Sequence, residues 1–263
     1  MQTFNDESMI LDCFRDIKPD ETALFGNYFV CKKIFFSLKS FLFRKNWINT
    51  FAKNDPPPDF YNDRQKLMMD VMRIDDHAFV DDKGRVQNAN LQREGEIYRK
   101  YFQGQKRDDI KLFFVPDTHL PTKEDHNFDR YIANFERVFN KHQEKLGLYQ
   151  SNHPGYKTIF FIFDESTAYR QVVNPKDVET TKQGREVLGM PHYYCYDKAF
   201  VDAIKKSNID YVVWFAPYKV LQYKKGNRIK IFPLPKCAIY DVKNIREKRL
   251  IKYERSLLSS AEE

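Results

Sequence analysis

The chain has 263 residues, of which 42% are hydrophobic and 16% aromatic, with only nine glycines. This composition argues against global disorder and predicts a large, aromatic-rich core. The net charge of +7 is concentrated near the end of the chain, because residues 205–255 hold 14 Lys and Arg against 4 Asp and Glu. Residues 1–204 are close to neutral. Two interpretations of the basic region stay open: an anionic partner such as nucleic acid, or a solvated basic face.

The sequence predicts a cytoplasmic protein with no membrane partner. Its four cysteines have the spacing of neither a zinc clip nor a disulfide scaffold, so we expect free thiols in a reducing compartment. The first twenty residues lack the apolar segment of a signal peptide. The most apolar window, residues 28–51, carries five Lys and Arg, which is too many for a membrane span.

The N-terminal part of the chain predicts helices followed by a break. Residues 1–54 are interpreted as a helical N-terminal subdomain, because Pro19 suits a helix start and the next proline is Pro56. Residues 55–62 contain a proline triplet and are interpreted as a Pro-rich linker. Residues 63–263 are predicted to form an α/β domain with a basic C-terminal region.

The first elements of the α/β domain are predicted as helices. The apolar residues of Asp63 to Ile74 have helical spacing. Asn90 can cap a second helix that ends near Phe102.

From residue 110 onward, apolar strands alternate with helices. Such alternation indicates an α/β fold with a mixed, mostly parallel sheet flanked by helices. The predicted strands are Ile110–Val115, Tyr156–Phe163, Tyr193–Tyr196 and Asp210–Phe215. The predicted helices run from Thr122 or Asp125 to about Leu146, and from Ala199 to Lys206.

The end of the chain predicts a β-hairpin and a terminal helix. The turn-forming residues 225–227 separate the apolar-containing segments Val220–Lys224 and Arg228–Phe232, as in a hairpin. A strand at Lys236–Val242 and a charged helix over Asn244–Leu258 complete the predicted C-terminal region.

Polar residues follow three of the apolar strands and predict a site. If these strands are parallel neighbours, their C-terminal ends meet at the edge of the sheet where ligands bind. Carboxylates there suit Mg²⁺ or Mn²⁺, and a lysine can stabilise charge that develops on a phosphate. The alternative is that each acid caps a helix or pairs with a surface lysine. The expected metal ligands are Asp117, Asp164 and Glu165, and the expected catalytic residues are His119 and Lys219.

Several other kinds of site are not supported by the motifs. The apolar strand that ends in Asp164-Glu165 fits a Walker B element, but the chain contains neither a P-loop nor a Gly-x-Gly-x-x-Gly motif. We therefore expect no nucleotide cofactor. Ser166 lacks the nucleophile elbow of α/β-hydrolases. The spacing of Asp197-Lys198 differs from the acid-x-Lys element of PD-(D/E)XK nucleases, so no family is assigned.

A second polar cluster and the basic hairpin supply further candidates. Asp70, Asp75, Asp76 and His77 combine carboxylates with an imidazole, which suits either a metal site or an ordinary helix end. The basic C-terminal region mixes cations with tyrosines, and such surfaces attract phosphates and stack bases. The expected nucleic-acid-binding residues are Lys224, Lys225, Arg228, Lys230, Arg246 and Arg249.

Three functions follow from these features. The first is a nucleic-acid-directed protein with a metal-dependent nuclease site at the strand ends. The alternative is a non-catalytic module that binds nucleic acid or protein through the basic C-terminal region. A third is a small-molecule enzyme that uses the same strand-end cleft. The sequence does not choose among them.

Overall fold

The structure, a computed structural model, describes residues 7–40, 45–50, 55–102, 126–172, 189–225 and 228–261. Its α-helices are α1 (Glu7–Phe14), α2 (Tyr28–Lys39), α3 (Ala89–Phe102), α4 (Phe128–Glu144), α5 (Leu146–Asn152) and α6 (Lys198–Lys206). Its first strands are β1 (Thr22–Phe25), β2 (Ile48–Asn49), β3 (Phe60–Asn62), β4 (Leu67–Ile74), β5 (Ala78–Val80), β6 (Val86–Asn88) and β7 (Lys157–Asp164). The later strands are β8 (Tyr169–Val172), β9 (Gly189–Pro191), β10 (Tyr211–Phe215), β11 (Leu221–Lys225), β12 (Arg228–Phe232), β13 (Cys237–Asp241) and β14 (Leu258–Ser260).

A seven-stranded mixed sheet forms the centre of the fold, with the strand order β1-β13-β10-β7-β4-β3-β2. Strands β10, β7 and β4 are parallel neighbours, and antiparallel strands flank them on both sides. The register places Phe163 beside Phe215, and Ile74 beside Asp164. The C-terminal ends of the three parallel strands therefore lie side by side. The predicted α/β fold with a mixed sheet flanked by helices is confirmed.

Helices cover both faces of this sheet. Phe160 and Ile162 of β7 pack in one apolar cluster with α4 and α6, whereas Phe161 and Phe163 pack in a second cluster with α1 and α2. Aromatic rings make many of these contacts; for example, the ring of Phe135 in α4 stacks on Trp214 of β10 at 5.1 Å. Burial on both faces explains why the sequences of these strands are continuous runs of apolar residues.

Most of the elements predicted in the second half of the chain are present. Helices α4 and α6 correspond to the predicted helices, and the side chains of Asn127 and Asp197 cap them. The hairpin β11–β12 and the strands β7, β10 and β13 also lie where the sequence predicted them. The predicted strand Ile110–Val115 lies outside the described residues.

Three predicted elements of the α/β domain are wrong. Residues 67–74 form strand β4 rather than a helix; seven of its eight residues are buried between β3 and β7, so their spacing carried no reliable period. Tyr194–Tyr196 forms a 3₁₀ turn instead of a strand. The terminal helix is replaced by 3₁₀ turns and β14, because this segment lies extended against the body and buries Tyr253.

The N-terminal region is less helical than predicted. Helices α1 and α2 are present, but Thr22–Phe25 pairs in parallel with β13, and Ile48–Asn49 pairs with β3. The partner of β1 lies near the other end of the chain, and β2 is only two residues long, so the local pattern revealed neither strand. The central sheet thus takes strands from both sides of the proline triplet. Among the described residues, no helix has the length and apolar character that crossing a membrane requires.

Candidate functional site

The C-terminal edge of the three parallel strands carries a buried polar cluster. Asp76 follows β4, Asp164 ends β7, Ser166 follows it, and Lys219 follows β10. All four residues are buried, and Lys219, the most exposed of them, shows 4% of its surface to solvent. The structure therefore brings Asp164 and Lys219 together at the edge where α/β proteins bind ligands.

Asp164 is the centre of this cluster. Its Oδ2 accepts hydrogen bonds from the Tyr131 hydroxyl at 2.5 Å and from Trp214 Nε1 at 2.8 Å, and it lies 3.4 Å from Lys219 Nζ. Its Oδ1 accepts from the backbone N–H of Ser166 at 3.0 Å and from the Ser166 hydroxyl at 2.5 Å. Both carboxylate oxygens are fully engaged, so a metal ion at Asp164 would have to displace existing contacts.

The ammonium group of Lys219 has several acceptors around it. Nζ donates to the Ser166 hydroxyl and, at 2.9 Å, to the carbonyl oxygen of Thr167. It also lies 4.3 Å from the centre of the Tyr131 ring, in a cation–π contact. Burial lowers the pKa of Lys219, while the charges of Asp164 and Asp76 oppose that change. The lysine is thus held in one position next to a carboxylate.

Asp76 is the second carboxylate of the edge. Its Oδ2 accepts from the backbone N–H of Thr167 at 3.0 Å, from the Thr167 hydroxyl at 2.8 Å and from the Tyr169 hydroxyl at 2.6 Å. Its Oδ1 is buried without a hydrogen-bond partner and lies 3.6 Å from His77 Nε2. Burial acts to raise the pKa of Asp76, but the Tyr169 hydroxyl and nearby positive charge outweigh burial and lower it.

Glu165 has a different partner from its neighbour Asp164. Consecutive residues at the end of a strand point to opposite faces of the sheet. The Glu165 carboxylate accepts from Arg73 Nε and Nη2, each at 2.8 Å, in a bidentate ion pair. Burial raises the pKa of Glu165, and Arg73 opposes that rise. The structure therefore does not place Glu165 with Lys219.

Not all of the remaining predicted ligands and catalytic residues lie in the part of the chain that the structure describes. Asp117 and His119 lie outside the described residues. Within the described part of the chain, no group of three or more His, Cys, Asp or Glu side chains is arranged to hold a metal ion. The sequence did not assign Asp76 to this edge, because residues 67–74 had the spacing of a helix. The sequence did not indicate a role in the site for Tyr131 or Trp214, because each lies among the apolar residues of a predicted helix or strand.

The basic C-terminal region holds the predicted nucleic-acid-binding residues. We call residues 243–255 the basic strap. Of its two acidic residues, Glu247 is paired with Lys205 of α6. The exposed cations of the strap are Lys243, Arg246, Lys248, Arg249, Lys252 and Arg255.

The hairpin adds further basic residues. Its strands pair with each other in a two-stranded sheet. The backbone register places Lys225 opposite Arg228, and Tyr223 opposite Lys230. Lys224, which lies opposite Ile229, completes the basic residues predicted there.

Comparisons with known proteins give no match: neither the protein-family models, nor the curated proteins, nor the solved structures contain one.

Proposed function

We propose that the protein cleaves phosphodiester bonds in nucleic acid with the help of Mg²⁺ or Mn²⁺ at the strand-end cluster. The observation that carries the proposal is the contact between Lys219 Nζ and Asp164 Oδ2, 3.4 Å apart and buried at the end of parallel strands. Burying charged groups costs several kcal/mol per ion, roughly, even after relaxation. Groups buried at such cost in this part of an α/β sheet are typical of functional sites.

Each group has a chemical role in this proposal. The Lys219 ammonium stabilises the negative charge that develops on the phosphate during cleavage. Asp164 positions that ammonium, while Tyr131 and Trp214 hold Asp164 in place. A divalent cation supplies further charge stabilisation and activates water. Asp117 is the sequence-based candidate for a ligand of that cation, and His119 for a proton-transfer group.

A second candidate function is nucleic-acid binding without cleavage. The basic strap favours it, because six exposed cations lie within thirteen residues and one of the two acids among them is already paired. Such a surface attracts phosphates whatever the sequence of bases. We place either function in the cytoplasm, since all four cysteines, including the exposed Cys13, are free thiols.

A cleavage assay tests the proposed function. Protein freed of metal by chelation is incubated with end-labelled single- and double-stranded DNA and RNA, with Mg²⁺, Mn²⁺ or EDTA. We expect products with a divalent ion and none with EDTA, and we expect Asp117→Asn to lose cleavage. The matched control is Asp82→Asn, an exposed residue of the turn between β5 and β6. Binding without products for every substrate and metal would support the binding module instead.

A further inference from the structure

The buried oxygen Asp76 Oδ1 is unusual among the described polar groups, because it has no hydrogen-bond partner. A buried carboxylate oxygen normally accepts at least one hydrogen bond, and leaving it unpaired costs free energy. The other oxygen of the same carboxylate has three donors, from Thr167 and Tyr169, so the group is firmly oriented. Oδ1 is therefore held towards its neighbour His77.

The segment that carries these two residues is itself fixed. The Asp75 carboxylate accepts from the backbone N–H of His77 at 3.0 Å and of Ala78 at 2.8 Å. Asn134 of α4 donates to the Asp75 carbonyl oxygen at 3.1 Å. Asp76 and His77 thus sit on a short turn tied to α4, which limits how far their side chains can separate.

The distance between Asp76 Oδ1 and His77 Nε2 suits a shared metal ion. The two atoms are 3.6 Å apart. Two donors that each lie about 2.1 Å from one ion are separated by roughly 3 to 3.6 Å, depending on the coordination geometry. One ion can therefore contact both atoms with little movement. The His77 side chain is 18% exposed whereas that of Asp76 is fully buried, so solvent is nearer on the His77 side of the pair.

The charges around Asp76 also favour a cation. Two buried carboxylates, Asp76 and Asp164, face one ammonium, that of Lys219. The ring of His126, whose Nε2 contacts Ser260 Oγ at 2.8 Å, lies 5.5 Å from the ring of His77. Asp76, Asp164 and Lys219 together carry one uncompensated negative charge, which a bound divalent ion would offset.

We propose that Asp76 Oδ1 and His77 Nε2 bind a divalent transition-metal ion, for which Mn²⁺ is the probe, and that ligands from outside this turn, such as water and a substrate phosphate, occupy its other positions. The proposal rests on the proposed function in assigning this ion as the cofactor of cleavage. Two protein ligands suffice for an ion that keeps several waters. The imidazole ligand argues against Mg²⁺, which prefers oxygen ligands, and for a first-row transition-metal ion.

Metal titrations test this site directly. Calorimetry and the Mn²⁺ electron paramagnetic resonance signal report binding to the full chain without any substrate. We expect one Mn²⁺ per wild-type chain, no binding to Asp76→Asn, and at least tenfold weaker binding to His77→Gln. The controls are Asp82→Asn and His153→Gln; His153 lies among Tyr61 and Tyr156, away from this turn. Circular dichroism confirms that each variant is folded, and His77→Gln keeps the test decisive if Asp76→Asn is not.

The outcomes separate the site from the proposed function. Wild-type protein that binds no Mn²⁺, or His77→Gln that binds it as tightly as wild type, overturns the metal site. Cleavage that persists unchanged in His77→Gln, at a Mn²⁺ concentration too low to fill the variant's site, leaves the proposed function standing and overturns the assignment of this ion as its cofactor. Mn²⁺ binding that depends on His77, in a protein that cleaves nothing, supports the site and contradicts the proposed function.

Discussion

Lys219 Nζ lies 3.4 Å from Asp164 Oδ2, although Asp164 ends β7 and Lys219 follows β10. Their contact exists because β10 and β7 are parallel neighbours that end at the same edge. Both groups are buried away from bulk solvent, so each depends on the other and on the hydroxyl and indole donors around them. The contact therefore links the stability of the fold to the integrity of the proposed site.

Replacing Asp164 is expected to destabilise the protein. The substitution Asp164→Asn leaves Lys219 buried without its counter-charge. Breaking a buried ion pair costs about 3–5 kcal/mol. Urea unfolding should show a loss of that order for Asp164→Asn and almost none for Asp82→Asn. The double variant Asp164→Asn/Lys219→Met should lose less free energy of unfolding than the sum of the losses in the two single variants. A loss below about 1 kcal/mol for Asp164→Asn contradicts the pairing.

The pair Asp59 and Asp70 predicts a pH-dependent stability. Burial and the Asp70 charge raise the pKa of Asp59 to about 8. Asp70 also contacts His142 and accepts from the Tyr149 hydroxyl at 2.9 Å, and Glu7 adds further negative charge near Asp59. The folded state therefore favours the protonated form of Asp59, whereas Asp59 in the unfolded chain ionises near pH 4.

The sign follows from this difference in proton binding. Between about pH 4 and pH 8 the folded state binds more protons than the unfolded state, so stability falls as the pH rises. The urea midpoint of the wild type should decrease from pH 5 to pH 8.5. In Asp59→Asn the decrease should be clearly smaller, since the titrating group is gone. If the urea midpoint changes equally with pH in the wild type and in Asp59→Asn, Asp59 does not titrate in this range.

Nucleic-acid affinity is expected to depend on the basic C-terminal region. The double reversal Arg246→Glu/Arg249→Glu should weaken binding and reduce the slope of log K against log salt, because fewer counterions are released. The control Lys33→Glu/Lys83→Glu makes the same change in net charge at exposed sites elsewhere. A parallel set reverses Lys224, Lys225 and Arg228 of the hairpin. If the control weakens binding as much as either set, net charge rather than a defined surface explains the affinity.

Glu165 is expected to be dispensable for cleavage. Its carboxylate is held by Arg73 in a bidentate pair, and both side chains are partly exposed. Pairs near the surface contribute about 0–1 kcal/mol. Glu165→Gln should therefore lose about that much stability and keep metal-dependent cleavage. A folded Glu165→Gln protein that no longer cleaves would return Glu165 to the set of metal ligands that the sequence predicted.

The parts of this fold that the sequence predicted are those with local signals. The apolar runs of β7 and β10 and the helices α4 and α6 depend mainly on residues that are neighbours in the sequence. The meeting of Asp164 and Lys219 followed from one general property of parallel strands.

The parts that the sequence did not predict depend on distant partners. Strand β4 is buried on both faces and carries Asp70 in its middle, which the Tyr149 hydroxyl accommodates only in the folded chain. Because β4 was interpreted as a helix, Asp76 could not be placed at the strand-end edge. Similarly, β1 forms only by pairing with β13.

Single-turnover cleavage of a labelled oligonucleotide tests the central claim most directly. Wild type and Lys219→Met are compared at saturating Mn²⁺, with near-ultraviolet circular dichroism and oligonucleotide binding measured on the same samples. Loss of one group that stabilises transition-state charge typically costs about 10²- to 10³-fold in rate. We predict a loss of that size in Lys219→Met, with fold and binding retained. A wild type that forms no product from DNA or RNA, or a folded Lys219→Met that cleaves at the wild-type rate, would contradict the account.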